Sequence, residues 1–175
     1  MRLSTCILER RTFRTYTPEE VSERQLDLIL RAAQWAPSPR NWQPWRFIVI
    51  RDEADKQALE AIARESKQIS ATWVPMFRPT GIRDYIQDMA HTPLAIAICA
   101  DPDRRGQHVN DRYGHILGAS MAIQNMKLMI HHLGLGAVLY THWIEEKVKV
   151  YLGMPRLWTL VGLLCFGHPI PVMTK

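Results

Sequence analysis

The chain has 175 residues, the size of a single domain, and 47% of them are hydrophobic without any low-complexity tract, which excludes an extensively disordered protein. Its formal charge is +5, but no basic stripe is interleaved with aromatic residues, so we expect no nucleic-acid partner. Apolar runs stay shorter than the roughly 18–20 residues that a transmembrane helix needs, and the N-terminus lacks a signal-peptide core, so we expect a cytoplasmic protein without a membrane partner.

The N-terminal segment carries a compact cationic cluster. Arg10, Arg11 and Arg14 lie within five residues, and the hydroxyl of Thr12 stands between them. Guanidinium groups form planar, charge-assisted hydrogen bonds with oxyanions, so this pattern suits a phosphate group. From these residues alone, a solvated basic segment is the alternative interpretation.

The first clear helix is predicted to begin after Ser22. Ser22 and Gln25 match a capping box, and apolar residues then recur at helical spacing. Pro37 makes continuation of the helix unfavourable and pushes the preceding residue towards an extended conformation. The pattern predicts that this helix delivers residues 36–45 as an ordered loop.

The loop at residues 36–45 combines prolines with hydroxyl, amide and indole groups just before a strand. Asn41 and Gln43 can each donate and accept hydrogen bonds, which suits the edge of a flat polar ring. Trp42 and Trp45 are equally suited to packing, and we do not assign them as ligands. Together with the arginine cluster, the loop suggests a bound flavin mononucleotide (FMN).

The middle of the chain alternates between strand and helix signals. Residues 46–50 predict a strand, and Asp52 is placed to cap a following helix. Residues 66–92 have a composition typical of an irregular excursion that covers a site, and we predict no firm structure for them. Leu94–Ala100 is short and continuously apolar, which is typical of an interior strand buried on both faces.

The second half opens with a polar loop at 101–112 and a helix at 113–133 that is apolar nearly all round. Such a helix must be buried, either as a core helix or partly by a second subunit, and composition favours neither. Gly134 offers a C-cap for it. A strand is then predicted at 137–141, a helix at 144–152 and a second strand at 158–166. With no internal repeat, we expect one mixed domain over residues 1–175.

Cysteines and histidines show no grouping typical of a metal site. Cys6, Cys99 and Cys165 have no paired spacing, which predicts free thiols rather than a disulfide framework. His131 and His132 come at the end of a helix, where they interact favourably with its dipole. We therefore expect neither a metal site nor a disulfide.

Four blocks of the sequence, in this order, resemble the flavin-dependent nitroreductase family. They are the arginine cluster at 10–14, the alanine-proline-serine and asparagine-x-glutamine-proline-tryptophan segment at 32–47, the helix and glycine turn at 124–136, and the pair of short segments at 152–155 and 166–169. Four blocks in the right order are far more specific than any one of them.

The resemblance implies an α+β fold, an α/β/α sandwich with a mostly antiparallel central sheet, assembled as an intertwined homodimer with FMN at the subunit interface. It also implies an FMN-dependent NAD(P)H oxidoreductase that works by a ping-pong mechanism. NADH or NADPH would be the electron donor, and a nitroaromatic, a quinone or a related electrophile would be the acceptor. Because the flavin N5 carries the chemistry, no separate catalytic residue is implied.

The resemblance also assigns the site residues in four groups. The phosphate and ribityl ligands are Arg10, Arg11, Thr12 and Arg14. The residues that approach the ring from the other subunit are Pro37, Ser38, Pro39, Asn41 and Gln43. The loop near N5 and the carbonyl edge is Leu139, Tyr140, Thr141 and His142, of which His142 is either a proton donor or a structural histidine. Lys175 stands where the family places basic residues that close over the phosphate, although many relatives continue beyond this position.

Two different functions are also compatible with the sequence. One is that of an oxygen-dependent member of the same superfamily that consumes its own flavin or dehalogenates an aromatic substrate, and the second is that of a non-catalytic flavin-binding protein. Steady NAD(P)H oxidation stimulated by menadione or a nitroaromatic would favour the reductase. Bound flavin without turnover would favour the binding protein, and destruction of reduced flavin by oxygen would favour the oxygen-dependent enzyme.

Overall fold

The computed structural model describes residues 1–73, 89–102, 113–141 and 144–170. The helices in these ranges are α1 Leu3–Glu9, α2 Glu23–Gln34, α3 Glu53–Trp73, α4 Gly114–His132 and α5 Glu145–Tyr151. The strands are β1 Trp45–Ile50, β2 Leu94–Ala100, β3 Gly136–Tyr140 and β4 Thr159–Gly167. None of these helices combines the length and hydrophobicity that a membrane crossing requires.

The four strands form one antiparallel sheet in the order β1-β2-β4-β3. All seven residues of β2 are buried, which confirms the predicted interior strand. Strand β3 pairs with β4 on one side, and its other side meets the N-terminal segment, where Thr12 forms a parallel bridge with Ala137. The end of the sheet at β3 is therefore where the cationic segment and the strand come together.

Two hydrophobic clusters cover the opposite faces of the sheet. Side chains alternate between the faces along a strand, so Ile96 and Ile98 join the cluster that includes α2 and α4. Ala97 and Cys99 join the cluster that includes α3 and α5. Because helices cover both faces, β2 is apolar throughout rather than alternating. This layering is the predicted α/β/α sandwich.

Several predicted boundaries are confirmed by their hydrogen bonds. The backbone N–H of Gln25 donates to Ser22 Oγ at 3.3 Å, and the N–H of Ser22 donates to Gln25 Oε1 at 2.9 Å, which completes the capping box. Asp52 Oδ1 accepts from the N–H of Ala54 at 2.7 Å and caps α3. Gly134, at φ 77°, follows the end of α4 in the left-handed conformation that glycine favours.

Two predictions about local structure need correction. Helix α1 was not predicted, because only Cys6 is buried in it and its large apolar side chains are exposed, so no amphipathic pattern marks it. Helix α3 continues to Trp73, past position 66 where we predicted no firm structure. Its helix-forming residues and the Glu60–Arg64 ion pair at 2.7 Å extend it. Residues 74–88 of the predicted excursion and residues 103–112 of the polar loop lie outside the described residues.

Candidate functional site

The cationic segment at 10–14 runs alongside β3. The bridge between Thr12 and Ala137 is parallel, so the first two arginines lie towards the start of β3. Arg14 lies towards the other end of the strand, because Arg14 and Tyr140 are both close enough to influence the pKa of the buried Tyr16. The predicted phosphate ligands and the predicted N5 loop are therefore joined along one strand of one subunit.

A close approach between Phe13 and Gly136 holds this segment in place. A Cβ added at Gly136 would lie 2.7 Å from the Cβ and Cγ atoms of Phe13, so a glycine is required there by packing. The Tyr16 hydroxyl donates to the carbonyl oxygen of Phe13 at 2.6 Å, and burial raises the pKa of Tyr16 far above its usual range. The backbone that carries the arginines is thus anchored from both sides.

The first two arginines line a narrow cleft beside α4. Within the described part of the chain, Arg10 and Arg11 donate hydrogen bonds only to backbone carbonyl oxygens. The other side chains that line the cleft are Lys127, Ile130, His131, Leu135 and Ala137. No salt bridge found among the described residues involves either arginine or Lys127. The cleft therefore concentrates positive charge without a carboxylate, and an anion fits this set of donors.

Lys127 belongs to this cleft, and we did not predict it. Burial and the neighbouring Arg10 lower its pKa, because both disfavour the charged ammonium group. The sequence does carry a signal, since Lys127 is the only Asp, Glu, Lys or Arg residue in α4. A single charged residue in an apolar helix can be recognised from the sequence as a candidate site residue.

The predicted ring ligands lie in a strained loop between α2 and β1. Arg40, Asn41 and Gln43 have φ values of 50°, 57° and 50°, in the left-handed region that non-glycine residues rarely adopt. The Ser38 Oγ accepts from the N–H of Gln43 at 2.9 Å, and Gln43 Nε2 donates to Asn41 Oδ1 at 3.2 Å. Pro39 begins the short 3-10 turn inside the loop. Strain of this kind persists where the surrounding structure imposes it, and it clusters at functional sites.

The N-terminal half of α4 supports this loop. A Cβ added at Gly118 would lie 3.0 Å from Pro44 Cγ and 3.3 Å from Ser38 Cβ. The carbonyl oxygen of Pro44 accepts from the N–H of Asp101 at 2.8 Å. Trp45 is 6% exposed and belongs to the core, so it is a packing residue.

The predicted ring ligands and the predicted phosphate ligands contact different parts of α4. The loop contacts α4 at Gly118, whereas the cationic cleft contacts it at Lys127, Ile130 and His131. Gly118 and Ile130 are separated by about 18 Å along the helix axis at roughly 1.5 Å per residue. One chain therefore presents the ring ligands and the phosphate ligands at opposite ends of α4.

The predicted loop near N5, residues 139–142, is only partly described. Leu139 and Tyr140 are half-buried at the end of β3, and Thr141 follows them in an exposed position. His142 and Lys175 lie outside the described residues, so the proton donor and the C-terminal cation stay predictions. Pro37 precedes the strained loop and is exposed.

One face of α4 is apolar and open to solvent. The opposite face packs into the core, but Tyr113, Leu117 and Met121 are 63%, 52% and 42% exposed. Helix α1, which packs against α4, adds the exposed side chains of Leu3, Ile7 and Leu8. Exposed apolar patches of this kind mark surfaces that bind another molecule.

The three cysteines lie inside the protein. Cys6, Cys99 and Cys165 are free and buried, and burial raises the pKa of Cys99 and of Cys165 to about 12. Within the described ranges, no group of three histidine, cysteine or acidic side chains is placed to hold a metal ion.

Comparison with known proteins gives consistent results. The model of the nitroreductase family matches residues 7–168. A putative NADH dehydrogenase/NAD(P)H nitroreductase from Archaeoglobus fulgidus is 29% identical, over 93% of this chain and 83% of its own. A solved structure of a putative nitroreductase in complex with FMN from Desulfovibrio desulfuricans is 28% identical, with a TM-score of 0.77 over 98% of this chain and 88% of its own. Iodotyrosine deiodinase 1 from Rattus norvegicus is 27% identical over 92% of this chain and 60% of its own length.

Proposed function

The chain belongs to the nitroreductase family, and we propose that it is an FMN-dependent oxidoreductase that passes electrons from NADH or NADPH to an electrophilic acceptor by a ping-pong mechanism. The observation that carries this proposal is the cationic segment held against β3, with unneutralised arginines at one end and residues 139–141 at the other. Nitroaromatics and quinones are the acceptor classes we propose.

The residues present fit the cofactor by their chemistry. Arg10 and Arg11 supply charge-assisted donors for the phosphate, and no carboxylate in the described part of the chain neutralises them. Thr12 adds a hydroxyl, and Arg14 lies further along β3, on the side of Tyr140. When bound, FMN would supply the hydride-accepting and hydride-donating centre at N5. The protein would supply binding, orientation and exclusion of water.

We propose that the complete site forms in a homodimer. The ring ligands and the phosphate ligands lie towards opposite ends of α4, and a second copy of the chain would bring one set to the other. The exposed apolar face of α4 provides a surface for this contact, since obligate interfaces resemble a protein core. The loop at 37–43 of one subunit would then complete the site formed by residues 10–14 and 139–141 of its partner.

The proposal is tested with the purified protein. We expect its absorption spectrum to show oxidised flavin after incubation with FMN, and its molar mass to be that of a dimer. NADH or NADPH oxidation should be steady and should increase when menadione or a nitroaromatic is added. A colourless monomer after incubation with excess FMN would refute the proposal, and bound FMN without turnover would support a non-catalytic flavin-binding protein.

Reductive dehalogenation of an aromatic substrate is the second candidate activity. The similarity to iodotyrosine deiodinase 1 supports this candidate. A halogenated phenol incubated anaerobically with the protein, FMN and NAD(P)H distinguishes dehalogenation from the reductase activity. Halide release would support dehalogenation, and consumption of NAD(P)H only with nitroaromatics or quinones would support the reductase.

Replacing Asn41 tests the ring assignment. We expect Asn41→Gly to keep the fold, because glycine suits the φ of 57° at this position and the side chain is exposed. Loss of the amide should weaken FMN binding about fivefold, the effect of one hydrogen bond of about 1 kcal/mol. Fluorescence titration with FMN measures the change. Gln34→Ala is the control, because it removes an exposed amide at the end of α2, just before the loop. Equal FMN affinity and equal flavin potential in Asn41→Gly and wild type would remove Asn41 from the site.

A further inference from the structure

Two side chains on α4 face the cationic cleft in addition to the arginines. Lys127 and His131 are four residues apart and so lie on the same side of the helix. Both line the cleft with Arg10 and Arg11. The cleft therefore has one wall from the N-terminal segment and a second wall from α4.

The cleft is lined by three cationic side chains, those of Arg10, Arg11 and Lys127. No carboxylate in the described residues pairs with any of them. As its side chains stand, the cleft has no room for a water molecule, so a phosphate would bind only after the long side chains move aside. Burial, and after it the charge of Arg10, lowers the pKa of Lys127, and an anion in the cleft would favour the charged ammonium group.

His131 is the second side chain of α4 that lines the cleft. Its Nε2 atom is enclosed and has no hydrogen-bond partner among the described residues. Enclosed polar atoms in native proteins nearly always have a partner, so such an atom calls for an explanation. An oxyanion in the cleft would accept a hydrogen bond from this nitrogen. The carbonyl end of a helix disfavours anions, so binding here requires several cations, and the cleft supplies them.

We propose that Lys127 and His131 bind the phosphate of the flavin cofactor together with Arg10. The inference rests on the proposed function, and it adds a wall from α4 to a phosphate site that the sequence assigned to residues 10–14. It makes Lys127 and His131 cofactor-binding residues rather than core residues.

The test compares two ligands that differ only in the phosphate, FMN and riboflavin. We expect Lys127→Met to weaken FMN binding about tenfold, as for a charged hydrogen bond, and to leave riboflavin binding unchanged. Lys127→Arg should recover most of the FMN affinity. Arg24→Met is the matched control, because it removes one positive charge from an exposed position on α2.

A stability measurement separates this role from a structural one. Because folding lowers the pKa of Lys127, the charged side chain destabilises the free protein, and Lys127→Met should unfold at the same temperature as wild type or higher. Weaker FMN binding with undiminished stability is the expected combination. An unchanged ratio of FMN to riboflavin affinity in Lys127→Met would overturn the inference alone. Failure of the wild-type protein to bind either flavin would overturn the proposed function and the inference with it.

Discussion

The Leu117→Asp, Met121→Asp double variant is expected to be monomeric and to lose at least about 100-fold in FMN affinity, equivalent to roughly 3 kcal/mol. Both side chains are about half exposed in the single chain, so the carboxylates remain solvated and the subunit should fold. In the proposed dimer the same carboxylates would be buried without partners, which costs several kcal/mol. Loss of the partner also removes the ring ligands at 37–43.

Light scattering gives the molar mass of the variant, circular dichroism its fold, and fluorescence titration its FMN affinity. Val150→Asp is the control, because Val150 is 81% exposed on α5, on the other side of the sheet from α4. We expect that control to stay dimeric and to bind FMN. A double variant that remains dimeric would exclude this face of α4 as the interface. A monomer with wild-type FMN affinity would exclude a site shared between subunits.

Arg10→Ala is expected to weaken FMN binding by roughly 10- to 150-fold, which corresponds to the 1.5–3 kcal/mol typical of hydrogen bonds to charged groups. The hydrogen bond that Arg10 donates among the described residues goes to the carbonyl oxygen of Arg11, so removal of its side chain should leave the fold intact. Riboflavin affinity should not change, because the contact is to the phosphate. Titrating both flavins measures the difference.

Two further variants complete that experiment. Arg24→Ala removes an exposed charge from α2 and should leave FMN affinity as in wild type. Arg11→Ala tests the neighbouring arginine, whose side chain bonds to the carbonyl oxygens of Leu8 and Arg10. If Arg10→Ala bound FMN as tightly as wild type, the phosphate assignment for the cationic segment would be wrong.

Most helices and strands could be predicted from the sequence, because the interactions that start, end or bury them involve residues close together in the chain. The capping box at Ser22 and the left-handed glycine at Gly134 act within one turn of a helix, and the structure confirms both. Strand β2 was recognised because continuous apolar residues of this length are buried on two faces. Helix α1 lacks any such signal, since its burial depends on where it packs rather than on its own pattern.

The candidate site was predictable in its chemistry but not in its arrangement. The arginine cluster and the amides of the loop are visible as residue types, and the resemblance assigned their roles. Lys127 was missed because its relation to Arg10 depends on the packing of α1 and the N-terminal segment against α4. The left-handed φ values at Arg40, Asn41 and Gln43 were equally invisible, since none of these residues is a glycine.

The sequence alone determined the caps, the interior strand and the presence of a cationic segment and an amide-bearing loop, because these depend on residues adjacent in the chain. Only the tertiary structure decided where those parts lie relative to each other. Helix α4 is rigid, so its length sets the distance of about 18 Å between the loop at Gly118 and the cleft at Ile130. Packing between residues distant in sequence places the loop near one end of the helix and the cleft near the other. This placement supports the proposal of a site shared by two subunits.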